Sequence, residues 1–351
     1  MSIPNTLTRN PPITLSDPFS PDTNSLGKYL WLDPGAEVIK QHTKAVIEDI
    51  VTRYDIDGLH YDDYFYPYPS YNNYEGFPDD ATYNGYISAG GTLSRDDWRR
   101  ENVNELISDT YAIIKAIKPW VTFGVAPFGI WRPNNPPGIV GMDAYEELYA
   151  DSKKWLNEGW LDYLAPQLYW PIDSTGQPFE PLFDWWNEEN TQNKFVIPGL
   201  YASAVMEDVK DWPAKEIGDQ VELIRSKQLS TSPGEIHFSM QAFQKNVKGL
   251  SDYMMNIYHS PTNVPAMPWC GGTRPDPPVL AITDNVITFQ STTNEIRLFS
   301  IYDNEKLVAR IGHKSDPFTL PADLQHKNVS LYLLGRFCIT EREISGRNIT
   351  K

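Results

Sequence analysis

The sequence predicts an α/β chain: a (β/α)8 TIM-type barrel lacking about its first three βα units, followed by a small β-sandwich-like domain. Three observations carry this prediction. Short apolar strands alternate with amphipathic helices between residues 29 and 260. The loops after those strands are long, polar and aromatic, and barrel sites lie at that end of the strands. Beyond residue 278 the helices stop and short strands follow one another.

Residues 1–28 are rich in Pro, Asn, Ser and Thr and read as an irregular arm. Val38, Ala45, Val46, Ile50 and Val51 form the apolar stripe of a helix over 36–54. Strands are expected at 58–63, 121–126, 161–166, 195–200 and 236–240. Further helices are expected at 99–118, 143–158, 179–190, 214–228 and 246–257. Such alternation implies a parallel sheet with crossover helices. Five strands do not close an eight-stranded barrel, and residues 1–28 cannot supply three more units. Either the chain is the C-terminal part of a longer protein, or a partner such as a second copy completes it. The Pro- and Gly-dense stretch 261–278 reads as a linker, and 279–351 as the β domain. Its strands are expected at 286–289, 296–302, 307–311 and 329–334.

A net charge of −16 over 351 residues, with no basic stripe, argues against a nucleic-acid partner. No apolar run is long enough for a membrane span. The N-terminus has no apolar core of a signal peptide, which fits a chain missing its natural start. Cys270 and Cys338 are far apart and without metal-like spacing, so they read as two thiols rather than a single disulfide, and no structural zinc site is expected. No nucleotide, serine-hydrolase or HExxH motif occurs, and no cofactor is implied. Aromatic residues reach 13%, with 11 Trp and 20 Tyr. Rings at that density fit either a large core or faces on which pyranose rings stack.

The stretch from Ile56 to Pro67 is the most informative. It reads as a strand running into Asp62 and Asp63. Two carboxylates side by side repel each other, and burial desolvates them, so such a pair at a barrel strand end points to chemistry. Glycoside hydrolysis needs one carboxylate as nucleophile or base and one as acid. Asp62 or Asp63 fits the first role, against the alternatives of a metal site or an Asx turn. Tyr61 and Tyr64 flank the pair as candidate sugar contacts. Ser94 or Asp96 caps the next helix. That helix brings Trp98, Arg99 and Asn102 toward a site, and Arg99 is expected to hold a catalytic Asp ionised. Glu101 is a candidate second carboxylate or, equally, a solvated helix residue. Trp131 and Arg132 follow one strand, and Gln167, Tyr169 and Trp170 the next. Tyr201 and Gln241 extend the ring more weakly. His60 and His237 read as packed strand residues.

The motifs Trp31-Leu-Asp-Pro-Gly35, Asp57 to Pro67, Trp98 to Asn104, Phe123 to Arg132, Tyr149 to Trp155 and Pro166 to Trp170 resemble those of the glycosyl-hydrolase-like ten family. The resemblance runs from about residue 29 to 245. It implies a barrel, hydrolysis of glycans, and bacterial cell-wall glycan strands as substrate. It also implies an extracytoplasmic place, periplasmic, secreted or lipoprotein-anchored. Asp62, Asp63 and Arg99 match the family pattern. The other reading is a glycan-binding protein that uses the same groove without cleavage.

Overall fold

The computed structural model describes residues 13–15, 29–62, 65–72, 74–260 and 262–271, together with the strand segments between 279 and 343. Asp63, Tyr64, Cys338 and most of the arm over 1–28 lie outside the described residues. Within that arm, β1 (Ile13–Leu15) pairs antiparallel with β2 (Tyr29–Trp31). The chain divides into two compact units, Met1–Leu250 and Ser251–Lys351.

The first unit alternates helices and strands. Helix α1 (Glu37–Arg53) leads to β3 (Gly58–Asp62), and α2 (Asp80–Ser88) and α3 (Arg95–Ile117) lead to β4 (Thr122–Ala126). Helices α4 (Ala144–Glu147) and α5 (Ser152–Asn157) precede β5 (Tyr163–Leu164), and α6 (Phe179–Glu188) precedes β6 (Phe195–Val196) and β7 (Gly199–Leu200). Helix α7 (Ala214–Ser226) leads to β8 (Ile236–His237). Strands β3-β4-β5-β6 form one parallel sheet and β7-β8 a parallel pair. Bridges from Phe128 to Gln167 and from Gln167 to Gly199 tie the two together. Strands β6 and β7 are one strand interrupted at Ile197-Pro198, where proline has no N–H to donate.

Local chemistry accounts for where the helices fall. The Ser94 hydroxyl accepts from the Asp97 amide at 3.2 Å and starts α3. The helix expected over 143–158 is two helices. Asp143 and Asp151 each cap one of them, and Tyr149 between them adopts φ 54° in the left-handed region. The unexpected α2 buries no residue, so its sequence carries no strong apolar period. The last expected helix starts later, at Leu250, because Asn246, Lys248 and Gly249 all have positive φ.

Register divides the sheet into two faces. Val125, Leu164, Val196 and Leu200 are buried on one face, and Tyr61 on that face bonds Thr110 of α3. This is the helix-covered side. His60, Gly124, Tyr163 and Phe195 form a row on the other side. Gly124 is required there. A Cβ on it would lie 1.9 Å from the Tyr163 ring.

The second unit has two antiparallel sheets. One contains β9 (Val279–Thr283), β10 (Val286–Gln290) and β13 (Phe318–Thr319). The other contains β11 (Ile296–Asp303), β12 (Lys306–Gly312), β14 (Val329–Gly335) and β15 (Arg342–Glu343). Ile287 from the first sheet joins Phe299, Ile301, Ile311, Val329 and Leu331 from the second in one buried cluster. Within this unit Asn263 accepts from Ser300 Oγ and donates to Tyr302 Oη, both at 2.8 Å.

Replacing Gly124 with Ala forces the Tyr163 ring out of its place. Overpacking of this kind costs about 1–3 kcal/mol, so the urea midpoint of Gly124→Ala is expected to fall. An unchanged midpoint would show that the ring can move freely.

Candidate functional site

Along β3 the side chains alternate, with Gly58, His60 and Asp62 exposed and Leu59 and Tyr61 partly covered. Asp62 therefore stands on the face away from the helices, at the C-terminal end of its strand. Its row partner is Ala126, and two residues further on Phe128 is level with Gln167 and Gly199. Gln167 is nearly buried. Its Nε2 donates to the Ala126 carbonyl at 3.0 Å and makes a long contact of 3.5 Å with Asp62 Oδ1. Two residues beyond Gln167, Gly199 and Ile236 come Tyr169, Tyr201 and Phe238, on the same face by alternation.

These three rings form a platform. Tyr169 stacks on Tyr201 at 5.1 Å and on Phe238 at 5.7 Å. Phe238 leaves 46% of its surface open. The Tyr201 hydroxyl donates to Glu207, and the Lys210 ammonium lies 4.1 Å from the Tyr201 ring centroid. Burial, and then Glu207, push the Tyr201 hydroxyl well above its usual range. Burial pulls the Lys210 ammonium down, and Glu207 opposes the shift. Gly199 lies close under Tyr169, where a Cβ would sit 3.3 Å from the ring.

Below Asp62, the His60 ring stacks on Tyr163 with centroids 5.7 Å apart and planes 9° apart. His60 Nδ1 is 2.9 Å from the Tyr163 hydroxyl. Although one side of the ring is open, the side chains packed around the rest of it partly desolvate the imidazole and pull it below its ordinary range, and the Asp62 charge opposes this. Burial pushes the Tyr163 hydroxyl up to about 12, helped by Asp162.

Of the residues read from sequence, Asp62, Gln167, Tyr169 and Tyr201 are brought together on this face. Others are placed elsewhere. Tyr61 faces the helices, with its hydroxyl 3.0 Å from Thr110 Oγ1 and its ring edge-on to Phe123, because it alternates with Asp62. Burial pushes that hydroxyl up to about 12, and the Thr110 bond offsets part of the shift.

The expected pairing of Arg99 with a strand-end Asp is corrected. Its partner is Asp79, which its Nε and Nη2 meet at 2.7 Å each, while Nη1 donates to the Tyr149 hydroxyl at 2.6 Å. The chain beyond β3 returns Phe77–Asp79 to the start of α3, and this intercepts the guanidinium. Burial works against the Arg99 charge, but the Asp79 carboxylate outweighs it. Trp98 and Asn102 are buried beneath Gly35, where a Cβ would lie 2.4 Å from the Trp98 ring. Asn102 Oδ1 accepts from Lys40 at 2.8 Å.

Glu101 is exposed on α3 and accepts from Asn104 at 3.3 Å. Trp131 stacks on Trp185 at 6.1 Å and donates to Asp151 at 3.0 Å. Arg132 pairs with Asp143 at 3.1 Å and Glu146 at 3.0 Å. These two residues belong to a cluster of the 127–151 loop. Trp170 sits edge-on to Phe128. Among the described residues, no group of three or more His, Cys, Asp or Glu is arranged to hold a metal, and no helix is long and apolar enough to cross a membrane.

Sequence reasoning missed Asp79, Tyr149, Phe238 and Glu207. Phe238 was within reach, since it follows the Ile236 strand with the right alternation. Glu207 lies in a loop whose spacing carries no signal.

An open strand-end face with a carboxylate, a carboxamide and stacked rings is the kind of surface that handles sugars. The glycosyl hydrolase-like 10 family matches residues 5–222, and the chain belongs to that family. It is 38% identical over 261 residues to the glycosyl hydrolase YngK of Bacillus subtilis (strain 168), covering 72% of this chain and 51% of that protein. It is 40% identical over 164 residues to the glycosyl hydrolase DigH of Escherichia coli (strain K12), covering 46% of this chain and 36% of that protein. The chain thus spans about half or less of the length of these curated relatives. Bee venom hyaluronidase in complex with a hyaluronic acid tetramer aligns at 14% identity and a TM-score of 0.42, over 71% of this chain and 81% of that one, a likeness too slight to inform the chemistry of the site.

Asp79→Ala removes both short carboxylate contacts of the buried Arg99 guanidinium and leaves it Asp96 at 3.5 Å, a change that costs about 3–5 kcal/mol. Chemical denaturation is expected to show that loss. A variant of wild-type stability would show that Asp96 alone satisfies the guanidinium.

Proposed function

We propose that the chain is a glycoside hydrolase that cleaves O-glycosidic bonds in a polysaccharide, with the glycan strands of bacterial peptidoglycan as its substrate. One observation carries the proposal. Asp62, Gln167 and the Tyr169–Tyr201–Phe238 platform share the open face at the C-terminal ends of parallel strands. Membership of the glycosyl hydrolase-like 10 family supports it.

Rings of this kind can hold the flat C–H face of a pyranose, and Gln167 can exchange hydrogen bonds with sugar hydroxyls. Asp62, with its neighbour Asp63, is the carboxylate that attacks the anomeric carbon or activates water there. The acid that protonates the leaving oxygen is Glu207, in place of Glu101. Glu207 stands against the ring platform, whereas Glu101 points from an exposed turn of α3. The five strands are proposed to belong to an eight-stranded barrel, and the C-terminal unit to be a β-sandwich-like accessory domain. A peptidoglycan substrate places the protein outside the cytoplasm.

The test is reducing-sugar release from purified peptidoglycan glycan strands, with and without attached peptides. Wild-type protein is expected to release reducing ends. A positioned acid or base contributes about 10²–10⁴-fold, so Asp62→Asn and Glu207→Gln are each expected to lose at least that lower factor. Glu101→Gln is expected to keep its rate. Binding of the strands by wild-type protein without release would overturn hydrolysis in favour of a glycan-binding protein. Equal rates in wild type and Glu207→Gln would remove Glu207 from the chemistry.

A further inference from the structure

We infer that His60, held by Tyr163 across Gly124, is a positioning residue whose imidazole lies fixed beneath the Asp62 carboxylate and titrates in response to it. The inference rests on the reading of Asp62 as the reacting carboxylate.

The geometry begins with register. His60, Gly124 and Tyr163 lie in one row of neighbouring strands. His60 and Tyr163 are two strands apart, so their backbones are separated by about 10 Å. A side chain at the middle position would keep them apart. Gly124 has none, and the Tyr163 ring lies over it. The phenol thereby reaches the imidazole, stacks on it at 9° and meets Nδ1 at 2.9 Å. The imidazole is fixed in plane and in tilt by a residue of another strand.

Asp62 lies two residues along the same strand on the same face, a rise of about 7 Å. Its charge acts on the imidazole. Among the described residues, the titratable groups facing the ring are Asp62 on its own strand and Tyr163 on β5, with Asp162 acting on the Tyr163 phenol. A histidine that merely fills space needs neither a glycine beside it nor a phenol locked on its nitrogen. The arrangement instead gives the carboxylate a titratable neighbour of fixed position.

The test is an NMR titration of the His60 imidazole in wild-type protein and in Asp62→Asn, with His60→Asn identifying its signal among the 6 histidines. Removing the carboxylate is expected to lower the His60 midpoint by about half a pH unit or more, since an opposite charge favours the imidazolium. The measurement uses no substrate, so it stands apart from the hydrolase reading. In the glycan-strand assay, His60→Asn and Tyr163→Phe are expected to lower kcat about tenfold or more with KM nearly unchanged, and to shift the pH profile. A His60 midpoint unmoved in Asp62→Asn would overturn the coupling. A wild-type pH profile in His60→Asn would overturn the positioning role. A moved midpoint without hydrolysis by the wild-type protein would sink the hydrolase reading and leave the coupling supported.

Discussion

Shifting β3 by one residue against β4 would exchange Asp62 for Tyr61, because side chains alternate across a strand. The pairing of Gly58 with Thr122 through to Asp62 with Ala126 prevents that shift, and buried Val125, Leu164 and Val196 hold it in place. A slipped strand would press His60 and Asp62 into the helices and lift Leu59 and Tyr61 out of them. The hydrophobic demand on one face thus fixes which residues stand on the other. The carboxylate, the carboxamide and the ring platform all inherit their position from this register.

The charged residues at the start of α3 serve a different end. Arg99 and Asp79 form a buried, two-pronged ion pair beneath the loop that follows β3. The Phe77 carbonyl and the Tyr149 hydroxyl take further guanidinium hydrogens. A charge taken out of water is tolerated only when its donors are met in this way. The pair ties the 65–79 segment, the first turns of α3 and the break between α4 and α5 into one unit. That unit begins three residues beyond Asp62, close in sequence to the end of β3.

Much of this was legible in the amino-acid order. The alternation of His60 and Asp62 with Leu59 and Tyr61 was visible, as were the parallel strands and, with Ser94 or Asp96 as its cap, the start of α3. Family membership was also legible, in motifs such as Trp31-Leu-Asp-Pro-Gly35 and Pro166 to Trp170. What escaped depends on contacts between distant segments. The sequence carries Arg99 and Asp79 20 residues apart, and nothing local says that the loop folds back to join them. Tyr61 looked like a sugar contact because it adjoins Asp62, yet adjacency on a strand means opposite faces. The break at Tyr149 needs a left-handed backbone that its residue type does not announce.

The central claim is that the Asp62 face of the sheet takes the glycan. The most direct measurement is the structure of Asp62→Asn with a peptide-free tetrasaccharide of peptidoglycan bound. A sugar ring stacked on the Tyr169–Tyr201–Phe238 platform, with its hydroxyls on Gln167 and its scissile bond at position 62, is the predicted result. A saccharide seated instead on the Trp131–Trp185 cluster, or absent from the strand-end face at saturating concentration, would contradict it.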